Sequence, residues 1–416
     1  MSDYYITLMY NGIKKNIKFP ENYSELKKAF LTEFKEDNKC KYCFDYNTIK
    51  NKKINFEDLK IDTRNNNYPI INIYKKQFSN PKNIQIVKEI AYSSYSNGLN
   101  NTFIIIKSIF GKIILIYSGK NQSIISYDLI LEQRINYFKN AHSSEITFFN
   151  HTIDKKNKRD LILSISKKDL VLKLWNYNNF CLLNVFDNIF QYGELHSACF
   201  LNDNNEIYIV AGSFYKDIDE IEPIKIYNLD GYIKKTLDDS QNDIYYIDIF
   251  YDIKFDTIYI ITSNFGYVKS YNYYKNKVYY KYSEYDIWGH KSFEISNNKD
   301  IVKLIETSGE GVIRIWNFHT SELLIKIEVH NTSLYLENKT KPLFCSCLWN
   351  DKIFFASYNK KILILIDITN GKLIMTETSF KNNIKSFKKI YLPKYGECLI
   401  SQEEQIGQIK IWKNFK

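Results

Sequence analysis

The stretch Thr307–Asn317 reads TSGEGVIRIWN. A turn of small residues leads into an alternating apolar strand that ends in Trp316, followed at once by Asn317. Alternation with a period of two marks a half-buried strand, and Asn or Asp directly after it marks a turn. The same strand end recurs as SIISYD (Ser123–Asp128), LVLKLWN (Leu170–Asn176), PIKIYN (Pro223–Asn228), YVKSYN (Tyr267–Asn272), KILILID (Lys361–Asp367) and GQIKIWK (Gly407–Lys413). With GVIRIWN (Gly311–Asn317) there are seven copies. The closing position falls at Tyr127, Trp175, Tyr227, Tyr271, Trp316, Ile366 and Trp412, at gaps of 48, 52, 44, 45, 50 and 46 residues. A period in the forties is the length of a four-stranded propeller blade, and each interval holds three further short strands with turn signals.

These strand ends resemble WD-repeat proteins over about residues 83–416. The resemblance is strongest where Ala141-His142 precedes SISKKDLVLKLWN (Ser164–Asn176) and where Gly289-His290 precedes TSGEGVIRIWN. It implies an internal hydrogen-bond network in each of those blades: His142, Ser166, Asp169 and Trp175 in one, and His290, Ser308, Glu310 and Trp316 in the other. The remaining blades depart from the pattern, with Tyr127, Tyr227, Tyr271 or Ile366 in place of Trp. The chain reaches only a third strand in its last blade, while an unassigned strand, NIQIVKEIAY (Asn83–Tyr92), precedes the first. Pairing of these two is expected to complete the blade and remove an open edge.

Residues 1–76 read differently. YYITLMYN (Tyr4–Asn11) and IKKNIKFP (Ile13–Pro20) flank Asn11-Gly12, a hairpin signal. YSELKKAFLTEF (Tyr23–Phe34) places Leu26, Ala29, Phe30 and Phe34 on one helical face, with Ser24 as its cap. Strands follow at Tyr42–Tyr46 and Ile70–Tyr74. This order resembles the ubiquitin-like β-grasp, and within it the Phox-and-Bem-type domains, through YCFDYN followed by NFEDLK (Asn55–Lys60). Asp45 stands alone where that family clusters acids, so the fold is carried over and the head-to-tail pairing chemistry is not. Residues 77–82 read as a linker. The fold class expected is mainly β: a small α+β domain followed by a seven-bladed propeller.

Formal net charge is +10, of which residues 1–82 hold an excess of 6 (16 Lys+Arg against 10 Asp+Glu). No basic run concentrates in the propeller, which argues against nucleic acid as the main partner. Seven scattered Cys suit free thiols in a reducing compartment. The longest apolar runs are strand-length, far below the ~20 residues of a membrane span. A soluble, cytoplasmic protein is the expectation.

His142 and His290 sit too regularly before Trp175 and Trp316 for catalysis, and read as structural. Cys40 and Cys43 lack the second ligand pair that structural zinc needs. Cys345 and Cys347 occupy alternate strand positions and read as packing. No catalytic triad, carboxylate pair or phosphate loop is present, so neither enzyme activity nor a cofactor or metal is expected. Two long connections remain: SFYKDIDEIEP (Ser213–Pro223) in blade 3 and HNTSLYLENKTKP (His330–Pro342) at the entry to blade 6. In a WD-repeat propeller both open on the same face. The expectation is an interaction scaffold whose top face, around Phe214, Tyr215, Asp217, Asp219, Glu220 and Tyr335, binds one partner protein. The basic surface of the first domain, around Lys14, Lys15, Lys18, Lys52 and Lys53, binds another. A phosphoinositide-binding propeller and a fixed subunit of a large assembly are the alternatives. The paired-arginine motif that the former carries is missing here. Partner identity and oligomeric state are not legible.

Overall fold

The computed structural model describes residues 5–10, 13–18, 29, 32, 42–45, 70–75, 83–92, 103–119, 121–166, 171–187, 189–190, 194–214, 222–237, 244–264, 266–284, 289–297, 301–309, 311–329, 343–350, 352–358, 362–377, 380, 384–403 and 408–415. The chain forms two compact units, one built on Met1–Pro81 and one on Lys82–Ile390 with Glu397–Phe415. The larger is a seven-bladed β-propeller of four-stranded antiparallel sheets. Six of the sheets are formed by four consecutive strands each. The third strands are Ser123–Asp128, Leu172–Asn176, Ile224–Asn228, Val268–Asn272, Val312–Asn317 and Ile362–Asp367. The seventh, Gln408–Phe415, takes Asn83–Tyr92 as its fourth strand, with Ile411 opposite Lys88 and Trp412 opposite Ile86.

The Asn or Asp that ends each third strand has a mechanical task. Its side-chain oxygen accepts backbone N–H groups of the hairpin into the fourth strand. Asp128 takes those of Ile130 and Leu131, and Asn176, Asn228, Asn272, Asn317 and Asp367 take those of Asn178, Tyr232, Lys275, His319 and Thr369, at 2.8–3.0 Å. This local bond fixes the turn. The seventh copy has Lys413 instead, and there no hairpin follows.

Each third–fourth strand pair also carries a register shift at the closing residue, between Ser126 and Tyr127, Leu174 and Trp175, Ile226 and Tyr227, Ser270 and Tyr271, Ile315 and Trp316, Leu365 and Ile366, and Ile411 and Trp412. The fourth strand supplies the extra residue, as Leu183 does in blade 2 and Val87 in blade 7. Such bulges sharpen the local twist. The strand from the far end of the chain makes the same bulge at the same register as six covalent hairpins.

The cores lie between blades. Phe148, Leu161, Leu163 and Leu174 of blade 2 pack on Leu195, Phe200, Ile209 and Tyr227 of blade 3. Ile162 and Trp175, on the opposite face of blade 2, pack on Ile106, Ile116 and Phe138 of blade 1. Inner strands buried on both faces therefore read as nearly continuous apolar runs, as LILSI does at Leu161–Ile165.

In the smaller unit, strands Tyr5–Tyr10, Ile13–Lys18, Tyr42–Asp45 and Ile70–Lys75 form one sheet in the order second, first, fourth, third. The first and fourth are parallel, and the outer pairs are antiparallel. Of the expected helix at 23–34, Ala29 and Thr32 are helical and its other residues lie outside the described ones.

Removing residues 1–76 is expected to leave a monomeric, cooperatively folding propeller. Removing 1–92 uncovers the edge of Gln408–Phe415 and is expected to give aggregation. Size-exclusion chromatography and thermal unfolding of the two truncations compare these outcomes, and equal behaviour would mean that the pairing adds nothing.

Candidate interaction surfaces

The polar groups inside the blades follow one geometric rule. Trp175 lies opposite Ile162 on the second strand, and its indole Nε1–H donates to Ser164 Oγ, two residues further on, at 2.8 Å. Trp412 lies opposite Leu399 and donates to Ser401 at 2.7 Å. Trp316 lies opposite Leu304 and donates to Glu306 Oε1 at 3.2 Å. Alternate residues on a strand share a face, so the acceptor two places along is the first polar group an indole can reach.

His142 completes the blade 2 network on the same hydroxyl, Ser164, at 2.7 Å. Sequence reasoning placed Ser166 and Ser308 in these networks, two residues too far along. Ser166 instead meets Ser144, and the Ser308 hydroxyl accepts the Val312 N–H at 3.3 Å, within the turn into the third strand. Asp169 and Glu310 lie outside the described residues. The signal that finds the true acceptors is spacing: they stand 11, 10 and 11 residues before Trp175, Trp316 and Trp412.

Blade 5 holds charge where the others hold hydroxyls. The carboxylate of Glu306 meets His290 Nδ1, and both side chains are fully buried. Arg314 Nη1 lies 3.5 Å from Glu306 Oε1, and Arg314 Nε donates to Glu284 at 2.8 Å. Lys326 pairs with Glu284 at 2.9 Å and leads the network outward. Blade 7 repeats the theme with Lys410 on Glu403, both buried. These histidines and acids are occupied within their blades.

The buried thiols are likewise poor reagents. Cys345 donates to Ser357 at 3.3 Å. Burial pushes the thiols of Cys347 and Cys398 up to about 12, so at neutral pH they are neutral and unreactive.

First strands of blades 4 to 7 converge on a small cleft lined by Tyr246, Ser292, Glu294, Ser346, Ser386 and Lys388 among others. Burial pushes Glu294 up to about 7; the positive charge of Lys388 opposes this and the negative charge of Asp248 adds to it.

Strand order decides which loops share a face. Turns between first and second strands, and between third and fourth, emerge at one end of every blade; second-to-third connections and blade entries emerge at the other. Cross-blade contacts keep the ends in line. The Tyr274 hydroxyl in a blade 4 turn donates to Asp203 beside a blade 3 turn at 2.9 Å, and Phe255 of blade 4 meets His319 of blade 5 with ring centroids 4.9 Å apart. The connection after Glu206–Phe214 and the entry after Leu323–Glu328 thus leave from the end opposite these turns. Phe214 ends its strand opposite Glu194. Tyr215, Asp217, Asp219, Glu220 and Tyr335 lie outside the described residues, as do Lys52, Lys53 and Cys40. Lys14, Lys15 and Lys18 belong to the strand Ile13–Lys18, and Cys43 to Tyr42–Asp45.

No family model matches the chain, and no curated protein does. Among solved structures it is similar to the β-propeller domain of Cps50 (Swd1) from Myceliophteria thermophila, at 14% identity and a TM-score of 0.57. That match covers 80% of this chain and 99% of the other. At such identity the likeness shows the propeller fold.

Glu306→Ala strands buried Arg314 and His290, and is expected to cost about 3–5 kcal/mol. Ser401→Ala removes one neutral acceptor, with an expected cost of about 1–3 kcal/mol. Urea unfolding followed by tryptophan fluorescence ranks the two, and equal losses would refute a special role for the blade 5 charges. A second expectation concerns pH. The folded-state value of Glu294 lies above its ordinary 4.5. The unfolded chain therefore loses this proton first, and stability falls as pH rises from about 4.5 to 7. Glu294→Gln is expected to raise the melting temperature at pH 8 and leave it unchanged at pH 5 (a rise of equal size at both would exclude the titration).

Proposed function

We propose that the chain is a non-enzymatic interaction scaffold of the WD-repeat kind, working in a reducing, cytoplasmic compartment. The propeller spans residues 83–416, joined through 77–82 to a β-grasp domain of residues 1–76. One partner protein docks on the propeller face that carries Phe214, Tyr215, Asp217, Asp219, Glu220 and Tyr335. Another docks on the basic surface of the β-grasp domain through Lys14, Lys15, Lys18, Lys52 and Lys53.

The observation that carries this reading is the engagement of the interior chemistry. His142, His290, Glu306, Arg314, Lys410 and Glu403 are each bound to a neighbour within the propeller, which leaves the loops as the variable chemical surface. Rigid scaffolds with function in their loops are the general pattern. Two long loops of the propeller sequence, Ser213–Pro223 and His330–Pro342, leave from the same end of the blades, and the first mixes Phe and Tyr with four acids. Aromatic anchors of that kind dominate protein interfaces. The second, first, fourth, third order of the N-terminal sheet, with its parallel central pair, supports the β-grasp reading.

Quantitative affinity capture of the full chain from its native cell tests the proposal. Asp217→Lys, Asp219→Lys and Glu220→Lys together are expected to remove one set of proteins. Lys14→Glu, Lys15→Glu and Lys18→Glu together are expected to remove a different set. Capture of no reproducible partner by the unaltered chain would overturn the scaffold reading.

A further inference from the structure

The hairpin-turn face, opposite the long loops, is studded with exposed apolar tips. Phe110 and Leu131 stand at the two turns of blade 1, 71% and 62% exposed. Ile253 and Phe255 stand at one turn of blade 4, 75% and 53% exposed, and Tyr274 at its other turn is 51% exposed. Tyr232 adds a tip on blade 3 at 71%. Phe255 rests against His319 and Tyr274 is tied to Asp203, but Phe110, Leu131, Tyr232 and Ile253 belong to none of the cores described above, and packing does not explain their exposure.

Lysines stand between the tips. Phe110 is followed by Gly111-Lys112, Lys254 separates Ile253 from Phe255, and Tyr274 precedes Lys275 and Lys277. Blade 2 contributes Lys155, Lys156 and Lys158 on a single turn, all exposed. Across the described turns of blades 1, 2 and 4 there are thus seven exposed lysines and one exposed acid, Asp256. Blade 3, between them, adds Glu206 and Asp230.

We infer that this face docks on an anionic lipid bilayer, with the tips entering the interface and the lysines meeting the headgroups. The pattern separates a membrane from a protein partner. A protein interface needs a contiguous, dry apolar centre and is depleted in Lys, whereas here the tips sit on separate turns and those of blades 1 and 4 have lysines beside or between them at Lys112, Lys254 and Lys275. A bilayer interface accepts both the adjacent pairs Ile130-Leu131 and Tyr232-Ile233 and the tips that stand beside lysines, as at Phe110, Ile253, Phe255 and Tyr274, and Lys stems lie along them with the charge in water. Blade geometry fits too, because the tips emerge from one end of rigid sheets and reach a plane together. Binding of this kind needs no pocket and no paired-arginine motif.

The test is cosedimentation of the full chain with vesicles of phosphatidylcholine mixed with phosphatidylserine, against vesicles of phosphatidylcholine alone. Binding to the anionic vesicles, reduced by added salt, is expected. Each lysine near an anionic leaflet changes partition about fivefold, so Lys155→Ala, Lys156→Ala and Lys158→Ala together should weaken it about a hundredfold. Phe110→Ala with Ile253→Ala should weaken it at unchanged melting temperature, while Leu182→Ala on the outer strand of blade 2 should not. In Phe255→Trp, the new indole should be quenched by brominated acyl chains. No binding to anionic vesicles overturns the inference and leaves the face to a protein partner. Equal binding to both vesicle types, or binding unchanged by these substitutions, overturns it as well.

Discussion

A four-stranded blade cannot bury both of its faces by itself. Its inner strands carry apolar side chains on each side, so every blade needs a neighbour before it and after it, and the row of blades has to become a ring. Closure then depends on the backbone hydrogen bonds between Gln408–Phe415 and Asn83–Tyr92. Everything else, including the inter-blade cores, the alignment of turns on one face and the meeting of first strands around the cleft, presupposes those bonds. Lys88 strengthens the seam from the side, pairing with Glu132 of blade 1 at 2.5 Å.

Within that frame, indoles and acceptors travel together. Blades 2, 5 and 7 have Trp and, two places past its cross-strand neighbour, Ser164, Glu306 or Ser401. In blade 6 the closing residue is Ile366, and the corresponding position is Ala356. In blade 3 it is Tyr227, the corresponding position is Ala211, and the phenol turns to the Ile189 carbonyl at 3.5 Å. A buried N–H without an acceptor is costly and an acceptor without a donor equally so. In these five blades the pair is therefore present or absent as a unit, while blade 4 keeps Thr262 at the acceptor position opposite a closing Tyr271.

Much of this was readable beforehand because a strand end of six or seven residues repeats seven times, and repetition averages out local ambiguity. The propeller and its number of blades follow from it. The internal networks were readable only in kind. Ser164 and Ser166 face the same way on one strand, and their sequence neighbourhoods do not say which lies beside the indole; the cross-strand register does, and it depends on a pairing between distant residues. Glu306 was hidden for the same reason, since a carboxylate in the middle of VKLIETS resembles an exposed strand position until the third strand brings Arg314 and Trp316 against it. Exposed tips such as Phe110 and Ile253 gave no signal either, because an apolar residue in a turn sequence is indistinguishable from one folded back onto the core.

The seam has a consequence in time. Lys88 leaves the ribosome long before Ile411, its partner in the sheet. At ~5–20 residues per second the interval of roughly 320 residues lasts about 15–65 s. During it one edge strand is already made and its complement does not exist. Blades 1 to 6 can each fold as they emerge, from neighbouring stretches of chain, but the ring cannot close until Gln408–Phe415 has been made. The newborn chain thus carries an unmatched β-edge throughout that interval, and a holding chaperone would be most valuable over that strand.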